Sequence, residues 1–195
     1  MRDTISRMDK AEIRRVALSA RDAIPSASRF AAANTIAERP FPFPLAPGNV
    51  VSGFMPLKTE INPLPLLRKL ASAGATLALP AVCGRGQPLR MRAYAFGDRL
   101  IAGVWNIREP AADAPEVFPD ILIVPLLAFD RSGHRVGYGA GYYDLTINAL
   151  RARKSVIAAG IAFAVQEISA VPHTEQDAPL DFVLTERESI DCRKA

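Results

Sequence analysis

Cysteine and histidine are scarce: the chain has only Cys83 and Cys192, and only His134 and His173. Two cysteines so far apart imply neither a disulfide framework nor a cysteine-based metal site, and they fit a reducing cytoplasm. Neither histidine has a metal-ligand partner at helical spacing, so both read as surface residues. No Ser-His or Cys-His constellation offers a protein nucleophile. Long apolar runs are missing as well. The longest, Ile121 to Phe129, is far too short to span a bilayer, and MRDTISRMDKAEIRR at the start lacks the apolar stretch of a signal peptide. A cytoplasmic protein with no membrane partner is expected. Basic runs are equally absent. Lys and Arg number 24 against 20 Asp and Glu, an excess that suits an anionic small molecule as well as nucleic acid. No platform of aromatics interleaved with Lys and Arg is visible, so no nucleic-acid partner is expected.

What is present is a core-forming chain. At 195 residues, 49% hydrophobic and 23% charged, it predicts one domain spanning residues 1–195, with residues 1–7 a frayed extension. Asp9 is placed to cap a helix whose apolar positions Ile13, Val16, Ala17, Ala20 and Ile24 keep the helical period until Pro25 ends it. Lys10 and Arg14 then share one face. A second helix runs from Ser26 to about Glu38, followed by an extended connector from Pro40 to Gly48.

From there strands and helices alternate. Strands are expected at Asn49–Met55 and Ala75–Val82 around a helix opened by Asn62-Pro63, with an edge strand at Arg90–Phe96. Gly97–Phe118 reads as a long surface loop holding the sole tryptophan, Trp105. Ile121–Leu126 is apolar without alternation, as in a strand buried on both faces. A helix from Tyr142 to about Arg153 and strands at Val156–Ala162 and Asp181–Thr185 complete the pattern. It predicts an α/β fold: a single-domain three-layer α/β/α sandwich with a mainly parallel, Rossmann-like sheet.

The stretch RVGYGAGYYD, Arg135 to Asp144, lies just past a strand end, where such sheets bind ligands. Glycines at 137, 139 and 141 permit positive φ and close backbone approach to an anion, and a helix start immediately after adds partial positive charge. The Rossmann fingerprint is excluded because position 142 is Tyr, and the Walker loop because no G-K-[ST] follows. Arg135 supplies a guanidinium for phosphate oxygens, and Asp144 could hold Mg²⁺.

FDRSGHRVGYGAGYYD, Phe129 to Asp144, resembles the signature of the 5-formyltetrahydrofolate cyclo-ligases, also called methenyltetrahydrofolate synthetases, whose usual form is FDxxGxRLGxGxGYYD. The resemblance extends to Lys10-x-x-x-Arg14, FMPLKTEIN around Glu60, Trp105-Asn-Ile, IAFAVQ and EQDAPLDFVLTE, in order over nearly the whole chain. It implies catalytic roles for Arg135 and Tyr142. ATP is implied to be bound by Lys10, Arg14, Arg135, Val136, Gly137, Tyr138, Gly139, Ala140, Gly141, Tyr142 and Tyr143. For folate it implies Met55, Glu60, Trp105, Tyr138, Gly139, Ala140, Gly141 and Tyr142, and for Mg²⁺ Asp144 and Asp177. Gln166 either orients the substrate or is a buried amide.

The activity so implied is MgATP-dependent conversion of 5-formyltetrahydrofolate to 5,10-methenyltetrahydrofolate, with release of ADP and phosphate through a phosphorylated formyl intermediate, by a monomer. The alternative is a non-catalytic folate- or nucleotide-binding protein of the same fold. Four positions depart from the family's common residues: Ala140 for Gly or Lys, Leu145 for Arg, Asn62 for an acid and Gln176 for His. Ala140 removes a cation from the phosphate side, so weaker nucleotide affinity is expected.

Overall fold

Asp9 opens the fold as expected, its carboxylate accepting the Glu12 N–H at 2.8 Å and capping helix α1, Lys10–Asp22. The structure is a computed structural model that describes residues 9–194; the expected N-terminal extension lies outside them. Helix α2 is Ser26–Glu38. Strand β1 (Val50–Ser52), helix α3 (Leu64–Ser72) and strand β2 (Thr76–Ala81) form the first βαβ unit. Asn62 accepts the Leu64 N–H at 3.0 Å at the start of α3.

Strands β3 (Arg90–Tyr94), β4 (Leu100–Ala102), β5 (Arg108–Pro110), β6 (Ile121–Pro125), β7 (Ala128–Phe129) and β8 (Arg135–Val136) follow. Helix α4 (Tyr142–Arg151) and strands β9 (Ile157–Ile161), β10 (Phe182–Leu184) and β11 (Ser189–Asp191) complete the chain. The main sheet has the order β11-β10-β9-β6-β1-β2-β3. Its five inner strands are parallel, and β3 and β11 pair antiparallel at the two edges.

Period-two alternation sends the two faces of the inner strands to different cores. Val51, Ile121, Ile123, Ala159, Ile161 and Leu184 pack against Ala33 and Ile36 of α2 and Leu66, Leu67 and Leu70 of α3. Ala78, Leu122, Val124, Ala158 and Val183 face Ile147 and Leu150 of α4. This is the expected three-layer arrangement. Helix α1 stands apart from both layers: Ile13 and Ala17 pack on Leu127, Ala128 and Val136 of the β7–β8 hairpin.

One expectation is corrected and one strand is added. Residues 97–118 are not an open loop, because β4 and β5 pair as a hairpin around a single 3-10 turn, Val104–Asn106. Strand β11 was not foreseen, since three residues with one inward apolar side chain, Ile190, carry too little periodicity to read. Among the described residues no helix is long and apolar enough to cross a membrane.

The strand order reverses between β1 and β6, from which the chain builds outward in opposite directions. In open parallel sheets the carboxyl ends at such a reversal frame a crevice for ligands. Phe54 and Met55 lie just beyond β1, and Pro125 ends β6; all three line one cavity.

Candidate active site

Helix α1 presents a cationic face to the glycine loop. Arg14 donates its Nε to the Gly137 carbonyl at 2.8 Å. Gly139 and Gly141 have φ of 98° and 70°, where only glycine enters without strain. A Cβ on Gly139 would stand 3.4 Å from Arg14 Cζ, so the loop lies flat on the guanidinium. Gly141 caps α4, and the helix's unpaired N–H groups open onto the same space.

At the base of the loop Arg135 is buried at 8% exposure. Its Nη2 donates to Asp144 Oδ1 at 2.7 Å and its Nη1 to the Ala178 carbonyl. The Ala178 N–H donates to the same Asp144 oxygen at 3.1 Å. Burial presses the Arg135 guanidinium toward its neutral form, and Asp144 opposes this. Beside Ala178, Asp177 accepts Lys10 Nζ on both oxygens, at 2.8 Å and 2.7 Å. Burial works against ionisation of Asp177, but Lys10 and the Thr174 N–H outweigh it and hold the carboxyl below its ordinary value.

Asp144 and Asp177, expected as metal ligands, are thus brought together across the Ala178 backbone, each neutralised by a cation. Among the described residues no group of three or more His, Cys, Asp or Glu forms a metal cluster. Two hard carboxylates suit a Mg²⁺ that arrives with phosphate and water ligands, rather than a resident ion.

The other wall of the cavity is apolar, built by Phe54, Met55, Leu57, Pro80, Val82, Leu89, Val104, Trp105 and Ile107. Trp105 and Asn106 both take positive φ, 56° and 59°. Trp105 stays 59% exposed while its ring tilts against Tyr142 at 6.1 Å between centroids. Two carboxylates are set into this wall: Glu60 accepts the Leu57 N–H at 2.7 Å, and Glu109 accepts the Val82 N–H at 3.3 Å. Burial pushes the Glu60 carboxyl above the ordinary value, against the Leu57 N–H, Tyr138 and Arg21, which favour the charged form. Burial and the nearby Glu60 also raise the Tyr138 and Tyr143 hydroxyls, so both stay protonated. Among the described residues the buried Tyr143 hydroxyl has no hydrogen-bond partner.

Lys10, Arg14, Met55, Glu60, Trp105, Asp177 and the whole run from Arg135 to Asp144 line this one cavity of about 570 Å³. Gln166 does not. It is a buried amide whose Oε1 accepts the Phe163 N–H and whose Nε2 donates to the Leu126 and Leu127 carbonyls. His173 is exposed as expected, whereas His134 is half-buried, its Nδ1 shielded from solvent and its ring stacked on His173 at 3.5 Å. Sequence reasoning missed Arg21, which is bonded to Tyr138. The signal was available, because positions 10, 14 and 21 fall on one helical face.

A cation-lined loop at a helix start, facing an apolar slot that carries the half-buried Glu60 and Glu109, is the arrangement of an α/β enzyme site. The sequence model of the 5-formyltetrahydrofolate cyclo-ligase family matches residues 6–186. The chain is 32% identical over 198 residues to the 5-formyltetrahydrofolate cyclo-ligase of Mycolicibacterium smegmatis, covering 95% of this chain and 98% of that protein. It is 32% identical over 148 residues to the Escherichia coli protein of the same name, covering 73% and 80%. The Aquifex aeolicus 5,10-methenyltetrahydrofolate synthetase structure superposes with a TM-score of 0.78 at 26% identity, over 96% of this chain and 95% of that one. The chain belongs to the 5-formyltetrahydrofolate cyclo-ligase family, and it is an enzyme of the ligase class.

Proposed function

We propose that the protein converts 5-formyltetrahydrofolate and MgATP to 5,10-methenyltetrahydrofolate, ADP and phosphate. The observation that carries this reading is the meeting of a cationic wall and an apolar wall in one cavity; a monomer acting on these two small molecules in the cytoplasm belongs to the same proposal. The formamide oxygen of the folate attacks the γ-phosphorus, and the bond to the ADP oxygen breaks. The resulting imidate-like phosphate, still bonded to N5, is attacked at carbon by N10, whose proton leaves with the phosphate as the C–O bond breaks.

Lys10, Arg14 and Arg135 neutralise charge on the phosphates, and the N–H groups of the glycine loop and the α4 start hold the terminal oxygens. Asp144 and Asp177 would hold the magnesium, which supplies charge neutralisation at the phosphates when bound. Glu60 accepts N–H groups of the pterin, Met55 and Trp105 flank its ring, and Tyr142 sits between the two substrates with the loop residues Tyr138 to Gly141. Orientation of the formyl oxygen in line with the γ-phosphate does most of the catalytic work. Absorbance of the methenyl product, followed on mixing with and without ATP, tests the reading. Folate binding with no ATP-dependent product would favour a non-catalytic binding protein.

A further inference from the structure

Arg21 is 1% exposed, yet it forms no ion pair among the described residues. A buried guanidinium without a paired carboxylate is costly, so its neighbours must explain it. Nη1 donates to the Tyr138 hydroxyl at 2.7 Å, and Nε donates to Thr59 Oγ1 at 3.1 Å. Thr59 passes its own hydroxyl proton toward Asp22, the residue next to Arg21.

The two partners belong to different parts of the site. Tyr138 lies between Gly137 and Gly139 in the loop that Arg14 also grips. Thr59 lies beside Glu60, in the turn closed by the Glu60 N–H to the Leu57 carbonyl at 3.0 Å and by the Glu60 carboxylate on the Leu57 N–H. Tyr138 is 45% exposed overall, so its ring is held chiefly through its hydroxyl. The flanking glycines add little local restraint, so Tyr138 is held by its hydroxyl, which meets Glu60 as well as Arg21, and by the Arg14 bond to the Gly137 carbonyl. The rigid fork of an arginine can span both partners at a fixed angle, which an ammonium on a flexible stem cannot do.

We propose that Arg21 is a positioning residue that couples the two substrate sites, holding the glycine loop and the Glu60 turn in one register so that binding at one prepares the other. This rests on the two-substrate reading above. It makes Arg21 the part of α1 that acts on the relation between the walls rather than on either ligand.

The test measures affinity for 5-formyltetrahydrofolate by calorimetry, with and without the β,γ-methylene analogue of ATP and Mg²⁺. In the wild-type protein the analogue should tighten folate binding by about tenfold. In Arg21→Lys, and in Tyr138→Phe and Thr59→Val, which leave the buried charge in place, the enhancement should vanish. Affinity for each ligand alone should stay within about threefold in Arg21→Lys and Thr59→Val, whose side chains are outside the cavity lining. The Arg21→Lys/Tyr138→Phe double variant should lose no more than Arg21→Lys. Full enhancement in these variants, or none in a wild-type protein that binds both ligands, overturns the coupling role. A lowered melting temperature with enhancement intact shows a merely structural arginine and also overturns it. A wild-type protein that binds neither ligand overturns the two-substrate reading itself.

Discussion

Lys10 Nζ holds both carboxylate oxygens of Asp177, at 2.8 Å and 2.7 Å, tying the start of α1 to the segment before β10. In the proposed reaction each has another use, Lys10 on a phosphate and Asp177 on magnesium, so the pair must open when MgATP binds. Lys10→Met should raise the KM for ATP about tenfold, the loss of one charge-assisted contact. It should also lower the magnesium concentration for half-maximal rate, because Asp177 is released. Steady-state kinetics at varied Mg²⁺ measures both. The folded-state pKa of Asp177 lies below its ordinary 3.8. The pair's contribution to stability is therefore present above that pH and lost as the pH falls through the lower folded value. Lys10→Met should flatten this acid limb in denaturation curves.

Glu60 carries the opposite sign. Its carboxyl is raised above 4.5 by burial, so the stability contributed by its protonated form is lost as the pH rises from 4.5 through the raised value. Glu60→Gln should increase the melting temperature at neutral pH. It should weaken folate binding by roughly ten- to a hundredfold, the worth of a hydrogen bond to a charged acceptor. For the wild type, folate affinity should drop as the pH falls through the raised pKa. A calorimetric titration series against pH checks this, and a pH-independent affinity would remove Glu60 from the folate contact.

Asp144→Asn should inactivate the enzyme and also destabilise it. The Arg135 side chain is 5% exposed and Asp144 Oδ1 is its only ion-pair partner among the described residues, so the variant leaves a buried charge uncompensated. A loss of about 3 kcal/mol in urea unfolding is expected. Retention of full stability would show that Arg135 is sustained by the Ala178 carbonyl alone.

Much of this was legible in the sequence because it follows local rules. Asp9, the four-residue step from Lys10 to Arg14, the apolar run of β6 and the glycines at 139 and 141 each declare their conformation through side-chain chemistry or backbone sterics. The glycine pattern also marked the site, since it fell past a strand end. What remained hidden depends on contacts between distant segments. Arg21 reads as one more basic residue until Tyr138 and Thr59 are brought to it. Glu109 and Val82 join the cavity only because the β4–β5 hairpin and the end of β2 meet there, and Leu89 only because the start of β3 is held on Thr146 of α4. Gln166 could not be assigned from sequence, because its partners on Leu126 and Leu127 are about forty residues away.

Ala140 is exposed in the glycine loop and lines the cavity. Ala140→Lys should restore a cation to the phosphate side and lower the KM for ATP by about five- to tenfold, an effect of about 1 kcal/mol that shrinks as salt is raised. Kinetics at two ionic strengths would show it. An unchanged KM at low salt would mean that position 140 faces away from the nucleotide.

The most direct test mixes the purified protein with 5-formyltetrahydrofolate and MgATP and follows absorbance of 5,10-methenyltetrahydrofolate, with ATP omitted in a parallel sample. Product should accumulate only with ATP, and one ADP and one phosphate should appear for each ring closed. Bound folate with no product in either sample, or product formed equally without ATP, would contradict the proposed reaction.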